Sequence, residues 1–408
     1  MHHLIDYETL NCLASKHGNS FFVLDGERFS KNYKSLHQAF SNYYSNVRIG
    51  YSYKTNYTPR LCQIVNELGG YAEVVSEMEY FHAKRIGVPG NRIIFNGPVK
   101  SNRAFKDAAI SGATINLDSM NDIDMLKSVS EQNPRKNISV VIRVNFEINS
   151  TISRFGMDVD GEEFKEAIHI IKKLLNVNLK GLHCHFPDRD LKSFELRANG
   201  IIDTIKKIFK ESPPEIINIG GGFFSHMPQS LEAKLGSNHV AFEEYGKVIG
   251  KIFSKAFKES NKPILFLEPG TALVADTQFF YTKVISVKSI RGKNFATVAG
   301  SSFDISPIAR SRNLPVSVIP APSQDRKNKT YDIVGFTCIE GDVLSEGLIS
   351  SINSNDFICY SNVGSYSIVM RPPFIMPSNP ILYHDGGEDL ILIKNGQTNE
   401  DIFRDFIF

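Results

Sequence analysis

The feature that most constrains the fold is a regular alternation between about residues 20 and 275, where short β-branched runs take turns with longer segments of helical period. This alternation is typical of parallel strands joined by helices. Eight or so β/α units over roughly 250 residues predict an α/β fold with a closed (β/α)8 TIM-like barrel. An open doubly wound sheet is the alternative that the spacing leaves open. The predicted strands are 21–24, 47–53, 71–76, 92–97, 114–119, 140–146, 179–186, 216–222 and 264–270.

After about residue 275 the sequence changes to short alternating strands broken by Gly, Pro and Asn, such as FFYTKVISVKSI and YSIVM. This pattern predicts a β-domain. We therefore predict an N-terminal segment, 1–25, that packs on the β-domain, a barrel over 26–275 and a C-terminal β-domain over 276–408. The junction of the barrel and the β-domain is a natural position for a binding site.

Charge and hydropathy restrict the expected partners. The 408 residues include 46 basic and 44 acidic side chains, for a formal net charge of +2, and no run of five or more like charges occurs. Such a balance leaves no field to hold nucleic acid or an anionic membrane. The chain has no stretch of 18 consecutive apolar residues, and its first residues, MHHLIDYETL, lack the apolar core of a signal peptide. Small molecules or other proteins are the expected partners.

The number and spacing of the cysteines indicate the cellular compartment of the protein. The five cysteines have no C-x-x-C spacing and are Cys12, Cys62, Cys184, Cys338 and Cys359. An odd, unpatterned set argues against a disulfide framework and against a structural zinc site. We expect a cytoplasmic protein.

Two ionisable residues follow apolar strands. Lys54, in YSYKTN, ends a strand where a barrel presents side chains at its carboxyl mouth. Burial lowers the pKa of an amine, and an unprotonated amine can form a Schiff base. Glu268, in FLEPG, needs a cationic partner if it is buried, and a protonated pyridine nitrogen is one candidate. The alternatives are a lysine that reaches water and a salt bridge inside the barrel.

Two further segments could contact a ligand. Gly220, Gly221 and Gly222 follow the strand IINI, and bare backbone there could approach an anion, although a tight turn also explains a glycine triplet. His183 and His185 alternate in GLHCHF and point the same way in a strand. Because no third ligand with a suitable spacing is evident, we favour one histidine stacked on a planar ligand and one structural histidine over a metal site.

Cys338 is the cysteine with a chemical environment of its own. It lies in the loop-like segment GFTCIEGD, and Glu340 and Asp342 follow it. Neighbouring carboxylates raise the pKa of a thiol, which suits a proton donor better than a nucleophile. A simple buried cysteine is the alternative.

Taken together and in order, these segments resemble the fold type III pyridoxal-phosphate (PLP) decarboxylases, the group that contains diaminopimelate decarboxylase and ornithine decarboxylase. The resemblance spans nearly the whole chain and implies an alanine racemase-like barrel followed by a β-domain. The matching segments are YSYKTN, VVSEMEY, IIFNGPVKS, INLDS, IRVNF with SRFGM, GLHCHF, INIGGGF, LEPG, GFTCIEGD and VGSYS.

The resemblance implies roles for individual residues. Lys54 would hold PLP as a Schiff base, His185 would stack on the pyridine ring, and Glu268 would pair with the ring nitrogen. Cys338 would return a proton to the product carbon from the other subunit, which implies a homodimer with shared active sites. Ser76 and Glu79 fit the family's S-x-x-E pattern. The remaining cofactor-binding residues would be Glu73, Arg143, Gly221, Gly222, Gly270 and Tyr366.

The departures from the family pattern concern the phosphate and the substrate. The family's phosphate-binding serine is replaced by Asp188, which would repel a phosphate, so we expect a rebuilt loop. Thr271 and Ser306 stand where diaminopimelate decarboxylases carry arginines, and Ile339 stands where they carry an acid. Without those arginines free diaminopimelate should bind poorly. Substrate contacts are assigned instead to Glu340, Asp342 and Arg371.

Analogy with divergent decarboxylases suggests secondary metabolism and a substrate linked to a carrier, peptide, nucleotide or siderophore precursor. A racemase of the alanine racemase type is the nearest rival, because it shares the barrel, the β-domain and the lysine. A decarboxylase-like protein that only binds a partner is a second rival, although the chain keeps Lys54, Glu268, Cys338 and Tyr366.

Overall fold

The structure is a computed structural model that describes residues 5–149, 152–210, 212–235, 239–305, 313–322, 325–387 and 389–408. The chain divides into two compact units. We call residues 30–224 and 238–272 the barrel unit, and residues 1–29, 225–237 and 273–408 the β-rich unit. The N-terminal segment and the segment 225–237 thus belong to the β-rich unit.

The chain begins with two helices on either side of a strand. Helix α1 spans Tyr7–His17, strand β1 spans Ser20–Asp25, and helix α2 spans Gly26–Ser41. Asp6 starts α1, because its Oδ1 accepts a hydrogen bond of 2.9 Å from the Thr9 amide. The predicted strand 21–24 is therefore β1, and it pairs within the β-rich unit.

The barrel unit contains a closed ring of eight parallel strands, which confirms the predicted (β/α)8 fold. The ring closes because β5 pairs with both β4 and β6, and the two-residue β7 is added beside β6. The strands are β2 (Val47–Ser52), β3 (Tyr71–Val74), β4 (Ile93–Phe95), β5 (Thr114–Leu117), β6 (Ile138–Asn145), β7 (Met157–Asp158), β8 (Val177–His183), β9 (Ile216–Asn218) and β10 (Ile264–Leu267).

Amphipathic helices connect these strands. In the helix at Glu162–Lys173 the buried residues Phe164, Ala167 and Ile171 recur at steps of three and four, which places them on one face. The connecting helices are α3 (Pro59–Glu67), α4 (Glu77–Ile86), α5 (Asn102–Ser111), α6 (Met120–Gln132), α7 (Glu162–Lys173), α8 (Leu191–Phe209) and α10 (Phe242–Ala256). Helix α9 (Gln229–Leu235) belongs to the β-rich unit, and the short helix α11 (Thr271–Val274) follows β10. Within the described ranges no helix is long and apolar enough to cross a bilayer.

The β-rich unit is a mixed sheet, as predicted for the C-terminal part, but the predicted strand YSIVM, 366–370, forms turns instead. Its main path runs β15, β14, β12, β11, β1, β17, β18, and β16 pairs with β11 and β13. The elements are β11 (Gln278–Ile290), β12 (Lys293–Val298), β13 (Val316–Ile319), β14 (Lys329–Val334), β15 (Val343–Ser350), β16 (Phe357–Tyr360), β17 (Ile381–His384), β18 (Ile391–Lys394) and helix α12 (Asn399–Phe403).

The barrel brings several of the predicted site residues to one end. Lys54 follows β2, His185 follows β8, Gly220–Gly222 follow β9 and Glu268 follows β10. Since parallel barrel strands end at the same rim, these residues meet there, in the position where active sites of this fold lie.

Candidate active site

Lys54 lies in a single 3-10 turn, Tyr53–Thr55, at the carboxyl end of β2. Its Nζ lies 2.7 Å from Oε2 of Glu73 and 3.4 Å from Oγ of Ser52. The Glu73 side chain is fully buried, whereas 41% of the Lys54 side chain is exposed. The amine is therefore held by a carboxylate and remains reachable from solvent.

Asn96, directly after β4, joins two buried carboxylates. Its Nδ2 donates hydrogen bonds of 2.8 Å to Oε1 of Glu73 and 2.8 Å to Oε1 of Glu268. Asn218, the last residue of β9, donates a further bond of 2.7 Å to the same Glu268 oxygen. Sequence reasoning missed both asparagines, although each ends an apolar strand with a polar side chain.

Glu268 is a buried anion. Burial raises its pKa, but the interactions with His183, Lys54 and Asn96 outweigh burial and hold the pKa well below its ordinary range. Nε2 of His183, the last residue of β8, lies 3.2 Å from Oε2 of Glu268. The carboxylate thus stays ionised at the rim of the barrel.

His185 is held as a neutral ring. Its Nδ1 accepts a hydrogen bond of 3.1 Å from the Gly221 amide. Burial, together with the positive charges of Arg143 and Lys54, holds the pKa of His185 well below its usual value of 6.5. An uncharged, fixed imidazole plane is suited to stacking on a planar cationic ligand.

Close packing and positive φ angles explain the glycines after β9 and β10. Gly220 and Gly222 have φ of +69° and +102°. A Cβ on Gly221 would lie 2.2 Å from the Glu268 carbonyl oxygen, and a Cβ on Gly270 would lie 2.0 Å from Oγ1 of Thr55. Gly221 and Gly270 therefore have no room for a side chain, and Gly220 and Gly222 have the left-handed backbone conformation that favours glycine.

Arg143, in β6, is anchored beside the site. Its Nη1 lies 3.3 Å from Oδ1 of Asp118, and its Nη2 donates to the His185 carbonyl at 3.4 Å. Lys100 and Asp122 form a further, fully buried ion pair of 2.7 Å. The motifs IIFNGPVKS and INLDS contain Lys100 and Asp118, but their local pattern predicts no role for either.

The S-x-x-E pattern forms the start of α4. Oγ of Ser76 accepts a hydrogen bond of 3.2 Å from the Glu79 amide, and Oε2 of Glu79 accepts one of 2.8 Å from the Val75 amide. Burial raises the pKa of Glu79 to about 7. These two residues therefore cap the helix.

The β-rich unit carries Cys338, Glu340 and Asp342 in one loop before β15. Cys338 and Glu340 are exposed, whereas Asp342 is buried. The Asp342 carboxylate accepts hydrogen bonds from Oγ of Ser301 at 2.9 Å, the Ser302 amide at 2.7 Å and the Thr337 amide at 3.2 Å. Asp342 is thus engaged in holding the loop, and Glu340 is its exposed acid.

Tyr366 and Arg371 follow in the same unit. Tyr366 has a positive φ of +59°. The Arg371 guanidinium forms an ion pair with Asp304, and the two side chains are 3% and 0% exposed. The guanidinium assigned to substrate is therefore already paired with an acid. Ser306, where the resemblance expects an arginine, lies outside the described residues.

The barrel unit brings together Lys54, Glu73, Arg143, His185, Gly221, Gly222, Glu268 and Gly270, and the β-rich unit carries Cys338, Glu340, Asp342, Tyr366 and Arg371. In the described part of the chain no three His, Cys, Asp or Glu side chains are arranged to hold a metal ion.

Comparisons with known proteins agree on one family. Residues 28–275 match the pyridoxal-dependent decarboxylases, in their pyridoxal binding domain. The diaminopimelate decarboxylase of Aquifex aeolicus is 25% identical over 405 residues, which cover 95% of this chain and 92% of that protein. The probable chloroplastic diaminopimelate decarboxylase of Oryza sativa is 27% identical over 415 residues, covering 95% and 79%.

Solved structures show the same fold. The diaminopimelate decarboxylase of M. jannaschii in complex with L-lysine superposes with a TM-score of 0.87 at 22% identity, covering 98% of this chain and 94% of that one. A lysine/ornithine decarboxylase of Vibrio vulnificus in complex with putrescine gives a TM-score of 0.76 at 17% identity, covering 93% and 98%.

The residues of the barrel unit fit PLP. An accessible amine, a buried anion for a pyridinium nitrogen, a neutral imidazole and a backbone turn without side chains are what its aldehyde, ring and phosphate require. Because the family match covers more than half of the chain, the chain belongs to the pyridoxal-dependent decarboxylase family and is a PLP-dependent carboxy-lyase that acts on an amino-acid substrate.

Proposed function

We propose that this carboxy-lyase acts on an amino acid or amino-acid derivative other than free diaminopimelate, and that it works as a homodimer. The observation that carries the substrate proposal is that Thr271 and Ser306 stand at the two positions where the resemblance expects arginines. Thr271 follows E-P-G, and the guanidinium of Arg371 is buried against Asp304.

Diaminopimelate carries a second carboxylate and a second ammonium at its far end. A protein usually binds such a carboxylate with a bidentate arginine, since charge-assisted bonds are the stronger class. Thr271 offers a single hydroxyl instead. Ile339, at the position of the family's acid, is 44% exposed and offers an apolar surface. This chemistry favours a far end that is uncharged or attached to a carrier, a peptide or a nucleotide.

PLP supplies the electron sink that stabilises the carbanion left by carbon dioxide. Glu268, as a buried anion, would favour a protonated ring nitrogen, and His185 would stack on the ring. Glu73 holds the Lys54 amine at 2.7 Å and so orients it. Cys338, an exposed thiol, would return a proton to the product carbon. The phosphate is assigned to Gly221, Gly222, Gly270 and the Tyr366 hydroxyl.

Release of carbon dioxide by the purified holoenzyme tests the substrate proposal. We expect slow turnover of free diaminopimelate and faster turnover of a derivative with a neutral or acylated far end. The Thr271→Arg variant, which restores a cation, should improve kcat/KM for diaminopimelate relative to the parent. A kcat/KM for diaminopimelate of about 10^4 M−1 s−1 or more in the parent, the ordinary range of enzymes, would refute the proposal.

Subunit complementation tests the homodimer. Lys54→Ala and Cys338→Ala should each be inactive or strongly impaired alone. If one subunit supplies Lys54 and the other Cys338, mixed dimers regain one intact site, so about a quarter of the parental activity should return. Mixtures that stay as inactive as the separate variants would contradict shared sites.

The cytoplasm is the compartment that we propose. All five cysteines are free, as expected in a reducing environment. Secondary metabolism is the proposed context, because the substrate positions diverge while Lys54, Glu268, Cys338 and Tyr366 are kept.

A further inference from the structure

Arg197 is a buried cation in α8 that neither the motifs nor the proposed chemistry uses. Its relative exposure is 0%, and it is among the largest fully buried side chains of the protein. The guanidinium carbon lies 4.1 Å from the centre of the Phe194 ring. Because a buried charge needs compensating partners, its hydrogen bonds indicate what it does.

Most of these partners are main-chain oxygens of two turns, the glycine turn assigned to the phosphate and the turn that contains Asp188. Nη1 donates to the Gly221 carbonyl at 3.0 Å, and Nη2 donates to the Phe186 carbonyl at 2.9 Å and to the Asp188 carbonyl. Nη2 also lies 3.3 Å from Oγ of Ser193. One guanidinium therefore joins the turn after β8 to the turn after β9.

These bonds orient the peptide planes of the turns. In a planar trans peptide the N–H points away from the C=O of the same unit. The Gly221 carbonyl points at Arg197, so the Gly222 amide points to the opposite side. By the same geometry the Asp188 carbonyl directs the Arg189 amide away from the guanidinium. Among the described residues, none accepts a hydrogen bond from the Gly222 amide. The turn thus directs the Gly222 amide to one side and the Gly221 carbonyl, bound by Arg197, to the other.

Arg197 also lies beside an acidic residue, Asp188. This acid stands where the family has a phosphate-binding serine, and its Oδ2 is buried without a hydrogen-bond partner in the described chain. The guanidinium binds the main chain of the same residue. A positive charge at this point offsets the repulsion that an acid would exert on a phosphate.

We propose that Arg197 is a positioning residue of the phosphate site, which holds the carbonyls of Phe186, Asp188 and Gly221 away from the phosphate and compensates the charge of Asp188. The proposal rests on the PLP cofactor and is independent of the substrate. It explains how the loop accommodates an acid in place of a serine. The guanidinium stays behind the turn and acts through backbone amides.

Titration of the whole chain, freed of cofactor, with PLP and with pyridoxal separates this role from simple packing. Both ligands carry the aldehyde and the ring, but only PLP carries the phosphate. Binding is followed by the absorbance of the ligand attached to Lys54. Arg197→Met should weaken PLP binding about 10- to 100-fold, the range expected for lost bonds to a charged group, and change pyridoxal binding much less.

Arg326→Met is the matched control. Its guanidinium also binds main-chain oxygens, those of Ala321 and Ser351, and pairs with Asp356, but it lies in the β-rich unit. The Arg326→Met substitution should lower thermal stability and leave the ratio of PLP to pyridoxal affinity unchanged. If Arg197→Met lowers both affinities equally, as a packing defect would, the proposal is wrong.

A second variant keeps the test independent of how well Arg197→Met folds. Asp188→Asn removes the acid and leaves the charge of Arg197 uncompensated, so PLP should bind more tightly and pyridoxal equally well. An unchanged ratio in Asp188→Asn would overturn the charge role of Arg197. A parent protein that binds no PLP at all would instead contradict the cofactor assignment.

Discussion

Replacement of Asn96 by leucine should be among the most costly single changes at the rim of the barrel. The amide donates one hydrogen bond of 2.8 Å to each of two buried carboxylates, Glu73 and Glu268. A hydrogen bond to a charged group contributes about 1.5 to 3 kcal/mol, so the loss of both should lower the free energy of unfolding by about 3 to 6 kcal/mol. Leucine has a similar volume, and the loss therefore reflects unsatisfied charge more than a cavity.

Urea unfolding of Asn96→Leu and of a matched control measures this cost. Asn145 also donates two hydrogen bonds, of 2.7 and 2.9 Å, but to the carbonyls of Ser153 and Phe155. Asn145→Leu should cost only about 1 to 3 kcal/mol, because both acceptors are neutral. Equal costs for the two variants would refute the reasoning from charge.

The pH dependence of the free energy of unfolding provides a second test of the same argument. The pKa of Glu268 is held below its ordinary range in the folded protein, so its ionised form adds stability at neutral pH. That contribution is lost as the pH falls through the folded pKa. The deficit of Asn96→Leu should accordingly be largest near neutral pH and shrink towards acid.

Three further predictions concern single side chains. Lys54→Ala should show neither the absorbance of lysine-bound PLP nor carbon dioxide release, and an active yellow variant would end the assignment. Glu268→Gln should still bind PLP but lose at least about 10²-fold in kcat, as when one preorganised charge partner is removed, and near-parental turnover would contradict the role of the anion. Since burial raises the pKa of Glu79 to about 7, the free energy of unfolding should fall by about 3 kcal/mol between pH 4.5 and a pH above 7. Glu79→Gln should abolish this decline in urea unfolding at about pH 5 and about pH 8, and parallel profiles of the two proteins would count against it.

Much of the barrel could be predicted because buried parallel strands are continuous apolar runs with clear ends. The predicted strand 47–53 is β2, Val47–Ser52, and the predicted strand 264–270 contains β10, Ile264–Leu267. Which sheet a strand joins is not a local property. Nothing in the local pattern at 225–237 shows that these residues group with the β-rich unit.

The candidate site likewise contains residues that could be predicted from the sequence and residues that could not. Lys54, His185 and Glu268 stand out because an ionisable residue follows an apolar strand. Asn96 and Arg197 have the local pattern of ordinary polar positions, and only packing between distant segments buries them. Arg371 was expected near the substrate, but its partner Asp304 is 67 positions away in the chain and could not be inferred from spacing.

The pairing of β1 with β11 makes the barrel an insertion within a sheet. Leu24 is opposite Gln278, so the chain leaves the sheet and returns to it at neighbouring points. At about 5 to 20 residues per second, the ribosome needs roughly 10 to 50 seconds to make the segment in between. During that time β1 has neither of its partners, β11 and β17. The nascent chain must therefore keep an apolar strand from pairing wrongly while the barrel folds, and the β-rich sheet is completed last.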